Sequence, residues 1–298
     1  MHFMPPSVSG LELWQWQVTA KQQAIAAQVS PTEVDWLLQE VAGLDRLSLR
    51  LESFKNKPEL PLKISLADLT QLWRQRLEAR LPVQYIVGRT TWRRFSLVVS
   101  PAVLIPRPET EELIDLAIAR VHAHPALGRG AWVDLGTGSG AIALALADAF
   151  PQATLHGVDV SGQALAIAQH NAQLLGLGDR IQFHQGKWFE PIAAQQLSGM
   201  VSNPPYIPRN LIPQLQPEVA QHEPHLALDG GEDGLDCIRH LVKVAPNYLQ
   251  SGGVWLIEMM AGQAESVRAL LENQGSYRAI EIHTDLNGTE RFASAFRV

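Results

Sequence analysis

Val133-Asp134-Leu135-Gly136-Thr137-Gly138-Ser139-Gly140 decides the fold of this chain. A short apolar run ends in three alternate glycines, and a helix-forming stretch follows over 139–149. Glycine has no Cβ, so the backbone can turn tightly and pass close to a ligand, while the following helix presents free N–H groups. Gly136, Gly138 and Ala141 also satisfy, loosely, the G-x-G-x-x-A pattern of dinucleotide binding. Asp134 weighs against that ligand. Its carboxylate, two residues before the first glycine, would repel a pyrophosphate and hold an ammonium group. Gly140 adds a third alternate glycine and allows closer approach over the turn.

Working outward, the chain keeps alternating strand and helix. Strands read at 131–135, 154–159, 181–184, 199–202, 253–258, 279–283 and 291–297, and helices at 139–149, 161–175, 233–249 and 262–274. Such alternation implies a mostly parallel sheet covered on both faces. The last two strands are joined only by Asp285-Leu286-Asn287-Gly288, so they read as an antiparallel pair. Upstream, Ile105-Pro106-Arg107-Pro108-Glu109-Thr110-Glu111 leads into a helix with Leu113, Leu116, Ala117 and Val121 on its apolar face. Further upstream, Gln84–Gly88 and Phe95–Val99 read as the arms of a hairpin.

Residues 1–81 read as helices only. Ser9-Gly10-Leu11-Glu12 has the capping-box spacing, with Leu11, Trp14 and Val18 at helical intervals behind it. Ser30-Pro31-Thr32-Glu33 places Ser at a cap and Pro at the first helical position, ahead of Val34, Leu37, Leu38 and Val41. Ser65 opens a further helix with Leu69, Leu72, Trp73 and Leu77 inward. Trp14, Trp16, Trp36 and Trp73 are enough to give a small bundle its own core. The expected organisation is a helical bundle over 1–81, a linker with a hairpin over 82–105 and an α/β domain over 106–298.

Composition sets the class. At 298 residues, 46% hydrophobic and 18% charged, the chain is an ordinary globular protein. No apolar run is long enough to span a bilayer, and Met1 to Pro6 lacks the basic and apolar sections of a secretory signal. Cys237 is the sole cysteine, which excludes a disulfide framework or thiolate metal cluster and fits a cytoplasmic protein. The net charge is −6. Residues 1–81 hold nine basic and nine acidic side chains, so the remainder carries all of it. Neither part has the basic character of a nucleic-acid reader.

Asp159 ends the strand Leu155–Asp159, 19 residues after Gly140, the offset at which a carboxylate meets ribose hydroxyls. It serves NAD and S-adenosylmethionine equally. Trp188 and Phe189 either flank a base or belong to the core. Asn203-Pro204-Pro205-Tyr206 follows the apolar run Met200-Val201-Ser202. Proline fixes φ and removes two backbone donors, so nearby carbonyls act as pure acceptors. The Asn203 oxygen can accept one hydrogen of a planar amine, and Tyr206 offers a face for stacking. The plain alternative is a strand-ending Pro-Pro turn with a core tyrosine.

Together, the Asp134–Gly140 turn, Asp159 and the Asn203–Tyr206 tetrad resemble class I S-adenosylmethionine-dependent methyltransferases acting on planar NH2 nitrogens. The segments Pro82-Val83-Gln84-Tyr85-Ile86 with Gly88, Ile105–Glu111, Glu218-Val219, His222-Glu223-Pro224, Ala227-Leu228, Gly230-Gly231 and Asp233-Gly234-Leu235 narrow the likeness. They resemble the release factor glutamine methyltransferases of the PrmC/HemK family over residues 82–298. The resemblance implies a Rossmann-like seven-stranded sheet, mostly parallel with helices on both faces and an antiparallel last strand.

It further implies S-adenosylmethionine as methyl donor, with S-adenosylhomocysteine as product. The acceptor is the side-chain amide of the glutamine in the Gly-Gly-Gln motif of class 1 peptide chain release factors. Asp134, Gly136, Thr137, Gly138, Gly140, Asp159, Trp188 and Asn203 are then the cofactor residues. Asn203, Pro204 and Tyr206 are the catalytic ones, and Asn203, Pro204, Pro205, Tyr206 and Arg107 hold substrate. The bundle over 1–81 would recognise the release factor. A monomer without metal, membrane or nucleic-acid substrate is expected. The alternative, an adenine-type exocyclic-amine methyltransferase of nucleic acid, shares the tetrad, and the acidic charge opposes it.

Several residues keep two readings. Arg107 and Glu109 either shape the substrate side of the cleft or form a helix cap. Glu258 either lines the cleft or faces solvent. His122-Ala123-His124 lacks a third ligand and reads as a solvated pair, and His222-Glu223-Pro224-His225 as a loop ordered against the cleft. Lys187 departs from relatives, which place aspartate or serine there. Lysine cannot accept from an adenine amine, so the base falls to backbone groups and Trp188.

Overall fold

The computed structural model describes residues 5–192 and 196–298. Residues 1–4, part of the segment read for a leader, lie outside the described residues. The chain divides into two compact units, Met1–Gly88 and Arg89–Val298.

The first unit contains β1 (Ser7–Val8), α1 (Gly10–Ala26), α2 (Thr32–Ala42), α3 (Arg46–Arg50), β2 (Leu60–Pro61), α4 (Leu66–Glu78) and α5 (Val83–Val87). Strands β1 and β2 form a small antiparallel ladder. Ser9 and Glu12 close the capping box at α1 in both directions. The inward face of α1 is not the expected one: Leu13, Gln17, Ala20 and Ala24 are buried, whereas Leu11 is exposed. Polar partners set that rotation. The Gln17 amide donates to Asp35 at 2.7 Å, Trp16 Nε1 donates to Thr70 at 3.0 Å, and the Lys55 ammonium lies 3.3 Å from the Trp14 ring centroid. At α2, Ser30 bonds Thr32 instead of capping, and Glu33 is taken by the buried Arg76 at 2.6 Å.

Residues 84–88, read as a hairpin arm, instead fall in the single helical turn Val83–Val87 and its closing glycine. Pro82 precedes the turn and Gly88 ends it at φ +76°. Ile86 and Val87 pack on the core of the first unit, so tertiary burial overrides the β preference of their branched side chains.

The second unit begins with the actual hairpin, β3 (Arg89–Trp92) and β4 (Phe95–Val98). Then come α6 (Glu111–Ala123), β5 (Ala131–Leu135), α7 (Ala141–Ala149), β6 (Thr154–Asp159), α8 (Gly162–Leu174), β7 (Ile181–Gln185) and β8 (Leu197–Ser202). The chain finishes with α9 (Pro217–His222), α10 (Asp236–Val244), β9 (Leu249–Glu258), α11 (Ala264–Gln274), β10 (Tyr277–Thr284) and β11 (Glu290–Arg297).

Seven strands form one sheet in the order β10-β11-β9-β8-β5-β6-β7. β11 alone runs against its neighbours, pairing antiparallel with both β9 and β10. Side chains alternate across the sheet, which splits the core in two. Trp132, Val201, Val254 and Leu256 pack with α6 and α7 on one face. Val133, Met200, Trp255 and Ile257 pack with α10 and α11 on the other. Helix α10 is shorter than the sequence implies, because Gly234 takes φ +78° before it and a turn with Pro246 follows it.

Candidate active site

Sheet register brings the singled-out residues to one edge. Leu135 lies opposite Val158 on one side and Ser202 on the other, Asp159 opposite Gln185, and Ser202 opposite Ile257. Gly136, Asp159, Gly186, Asn203 and Glu258 therefore emerge side by side at the carboxyl ends of their strands. Strand order reverses between β5 and β8, the position at which open α/β sheets form a ligand crevice. A cavity of about 430 Å³ opens there, with Gly136, Gly138, Asp159, Trp188, Asn203 and Pro205 among its walls.

The glycine turn is anchored from both flanks. Gly136 and Thr137 donate their N–H groups to the Val158 carbonyl at 2.9 Å each. Gly138 N–H donates to Asp159 Oδ2 and Ser161 N–H to Asp159 Oδ1, both at 2.9 Å. Burial still pushes the Asp159 carboxyl above its ordinary value. Gly136 at φ +79° and Gly138 at φ +54° adopt backbone that favours glycine. A Cβ at Gly136 would lie 3.6 Å from the Trp188 ring, and one at Gly138 would project into open space.

Three residues assigned to the cofactor stand behind this wall instead of in it. A Cβ at Gly140 would meet Ala168 Cβ at 3.1 Å, so this glycine serves the packing of α8 on the turn, not ligand approach. Asp134 is fully buried beneath the turn. Its Oδ2 accepts from Thr137 Oγ1 at 2.6 Å and from Ala143 N–H at 3.1 Å, bracing Thr137 and the start of α7. Its Oδ1 finds no donor among the described residues, and burial pushes the carboxyl up to about 7. An ammonium holder would need to reach the cavity. Asp134 and Thr137 do not line it.

The tetrad is ordered by one carboxylate. Glu258, read as lining the cleft or facing solvent, does neither: it is 1% exposed. Its Oε2 accepts from Thr110 Oγ1 at 2.7 Å and its Oε1 from the Tyr206 hydroxyl at 3.0 Å. Thr110 Oγ1 in turn accepts from Asn203 Nδ2 at 3.1 Å. Burial pushes Glu258 up to about 7 against the pull of those two donors, and pushes the Tyr206 hydroxyl upward as well. Asn203 and Pro205 face the cavity, whereas Pro204 is buried and Tyr206 sits behind.

The flanking segments clamp this arrangement. A Cβ at Gly230 would meet Tyr206 Cα at 2.8 Å, and one at Gly234 the Tyr206 carbonyl at 2.3 Å. Only glycines let that loop seat against the tetrad. Gln263 Nε2 also donates to the Tyr206 carbonyl at 3.1 Å. Arg107 does not line the cavity; its guanidinium donates to the buried Glu223 at 2.6 Å. Pro224, next in chain, is part of the cavity wall. Thr110 and Glu258 were missed as a pair, for nothing local in sequence joins residues 148 apart. Among the described residues no group of three or more His, Cys, Asp and Glu is arranged to hold a metal, and no helix is long and apolar enough to cross a membrane.

A family model described as the methyltransferase small domain matches residues 118–221. A Synechocystis protein named release factor glutamine methyltransferase is 53% identical over 97% of this chain and 97% of its own length. The chain belongs to the release factor glutamine methyltransferase family. Members from Thermosynechococcus vestitus and Gloeobacter violaceus are 48% and 42% identical, over 88% and 94% of this chain and 90% and 96% of their own.

Two solved structures carry the fold. A Pyrococcus furiosus methyltransferase has a TM-score of 0.50 at 13% identity, covering 77% of this chain and 98% of that one. A Thermus thermophilus 16S rRNA methyltransferase in complex with AdoMet and guanosine has a TM-score of 0.51 at 18% identity, covering 70% and 50%. This release factor glutamine methyltransferase family member thus has the Rossmann-like class I methyltransferase fold. S-adenosylmethionine is its cofactor, and the residues present fit that molecule. Side-chain-free Gly136 and Gly138 leave a floor beside Trp188, and Asp159 supplies a strand-end carboxylate.

Proposed function

We propose that this chain transfers the methyl group of S-adenosylmethionine to the side-chain amide nitrogen (N5) of the glutamine in the Gly-Gly-Gln motif of class 1 peptide chain release factors. The observation that carries the reading is the Asn203 amide at the cavity wall. Its nitrogen is committed to Thr110, and its oxygen is bonded by none of the described residues.

Bound S-adenosylmethionine supplies an electrophilic methyl group on a sulfonium. Gly136 and Gly138 admit it to the cavity, Asp159 accepts from ribose hydroxyls, and Trp188 flanks the adenine. Lys187 lines the same cavity but has no acceptor for the adenine amine, which falls to backbone groups. Asp134, Thr137 and Gly140 keep the turn in shape from behind.

An amide nitrogen is a weak nucleophile, because its lone pair is delocalised into the carbonyl. Asn203 Oδ1 and the Pro204 carbonyl each accept one N–H hydrogen of the substrate glutamine, which favours positive charge on that nitrogen as it reacts. Holding the two reactants together makes transfer effectively unimolecular, an effect of about 7–11 kcal/mol when geometry is good. Tyr206, fixed through its hydroxyl behind the cavity wall, holds in place the tetrad that restricts the plane of the bound amide. No strong base is needed, since the methylated nitrogen is acidic enough to lose its proton to nearby acceptors or water. Arg107 shapes the substrate side through Glu223 and Pro224.

The first unit, on this reading, grips the release factor outside the Gly-Gly-Gln loop, and the enzyme works as a cytoplasmic monomer. Incubation with isotopically labelled S-adenosylmethionine and either a release factor or DNA tests the proposal. Mass spectrometry should place one methyl on the glutamine of the Gly-Gly-Gln peptide. Label entering only DNA would defeat it.

A further inference from the structure

Glu258 costs the fold something that the sheet alone does not require. A carboxylate taken out of water is expensive, and apolar side chains of similar volume commonly stabilise as well or better. What it does instead is determine the direction of hydrogen bonds. A hydroxyl has one proton to give. When Glu258 is ionised, Thr110 gives it to Glu258 Oε2 at 2.7 Å, so towards Asn203 it can only accept. The group facing it at 3.1 Å must therefore be the Asn203 NH2, which turns the amide oxygen to the other side. The second carboxylate oxygen takes the Tyr206 proton at 3.0 Å and fixes that side chain as well. Glu258 and Thr110 do not line the cavity.

We propose that Glu258 and Thr110 are positioning residues for methyl transfer, imposing one orientation on the Asn203 amide so that its oxygen is presented to the substrate nitrogen. The inference rests on the reading of Asn203 as the amide holder. Without the carboxylate, Thr110 is free to donate to Asn203 Oδ1, and the amide can present NH2 to an incoming NH2. Two donors then face each other.

The test uses the full-length enzyme with a release factor, and measures kcat, KM, cofactor affinity by calorimetry and melting temperature. Thr110→Val keeps the shape and removes the hydroxyl. It should lower kcat by about 10–100-fold, the range expected for losing one hydrogen bond to a charged group, with KM and cofactor affinity within ~threefold of wild type. Glu258→Gln should give the same split, since it retains the volume but offers NH2 to one of its two donors. Thr110→Ser, which restores the hydroxyl, should recover most of the lost turnover.

An unchanged kcat in Thr110→Val overturns the proposal. So does a kcat loss that Thr110→Ser fails to rescue, or one matched by equal losses of cofactor affinity and melting temperature, because each marks a structural role only. Asn203→Ala separates the two readings. If it retains turnover, the assignment of Asn203 itself is wrong. If it abolishes turnover while Thr110→Val and Glu258→Gln do not, only the positioning inference fails.

Discussion

Arg107 Nη2 donates to Glu223 Oε2 at 2.6 Å, joining the loop ahead of α6 to the loop that follows α9. The Glu223 side chain is 1% exposed and that of Arg107 31%, so the carboxylate depends on this partner more than the guanidinium does. Burial pushes Glu223 above its ordinary value, and Arg107 pulls it back. Arg107→Ala should therefore destabilise the enzyme by roughly 1–3 kcal/mol, the cost of an unpaired buried acceptor. Adding Glu223→Gln should return most of the melting temperature. If Arg107 also shapes the substrate side, kcat/KM for the release factor stays low in the double variant. Recovery of both would reduce Arg107 to a structural tie.

The stability contributed by the buried carboxyls should fall as pH rises from about 4 to about 7. Burial pushes Asp134 and Glu258 up to about 7 from their ordinary values of 3.8 and 4.5. Between the unfolded and folded values these two carboxyls bind more protons in the native chain than in the unfolded one, so their stabilisation is complete at the acid end and is lost on the way up. His184, His240 and His283, held below their ordinary value by burial, add stability as pH rises and temper the slope. The carboxyls held low by donors, such as Asp229 and Glu281, lose their contribution only below the ordinary carboxylate range and do not oppose the slope. Urea midpoints at pH 5 and pH 7.5 measure it. Asp134→Asn should reduce the difference, and an unaltered slope would contradict the buried-carboxylate account.

The sheet was largely legible because each strand from β5 to β11 pairs an apolar run with a turn signal, and β5 and β6 fall on the residues read from sequence. Helix α5 was not legible, since Ile86 and Val87 carry a strand preference that only their packing on the core of the first unit overrides. The site divides in the same way. Gly136, Gly138, Asp159, Trp188 and Asn203 reach the cavity directly from strand ends or turns, where local pattern is informative. Asp134 and Gly140 have the right spacing but point away from it, for spacing does not say which side of a turn a group occupies. Thr110 stands at the N-cap of α6 with helical φ and ψ and makes no side-chain capping bond; its hydroxyl oxygen accepts from Asn203 and its proton goes to Glu258, partners that only the fold brings together.

The glycine turn should separate stability from cofactor binding. Gly140→Ala combines φ +86° with a 3.1 Å approach to Ala168, so it should cost about 2 kcal/mol or more in unfolding free energy. Gly138→Ala meets no neighbour, and its φ of +54° should cost about 1–2 kcal/mol while the methyl intrudes on the cavity. Calorimetric titration with S-adenosylmethionine should show the larger affinity loss in Gly138→Ala, the reverse of the stability order. Equal affinity losses would remove the distinction between the two positions.

Asp159 anchors the turn and, on the proposed reading, also accepts from the ribose, so its removal is read best against both duties. Asp159→Asn keeps one acceptor oxygen but loses the charge that strengthens bonds to Gly138 and Ser161. Cofactor affinity should fall by about tenfold or more, with kcat at saturating cofactor reduced less than affinity. An affinity equal to wild type would remove Asp159 from the ribose.

The first unit offers a direct test of how the release factor is recognised. Leu47 and Leu51 are four residues apart, at α3 and its end, and are 64% and 66% exposed. Apolar side chains at that spacing share one side of a helix, and burying the pair against a partner is worth about 1.5–3 kcal/mol each. If this side meets the release factor, Leu47→Glu with Leu51→Glu should raise KM for the intact protein by about tenfold or more. The same variant should act on a short Gly-Gly-Gln peptide as wild type does, because such a peptide has no surface beyond the loop for the first unit to meet. Since both positions are already in water, melting temperature should change little. An unchanged KM for the intact release factor would exclude this side of α3 from the interface, and an equal loss on the peptide would place the defect in the catalytic unit instead.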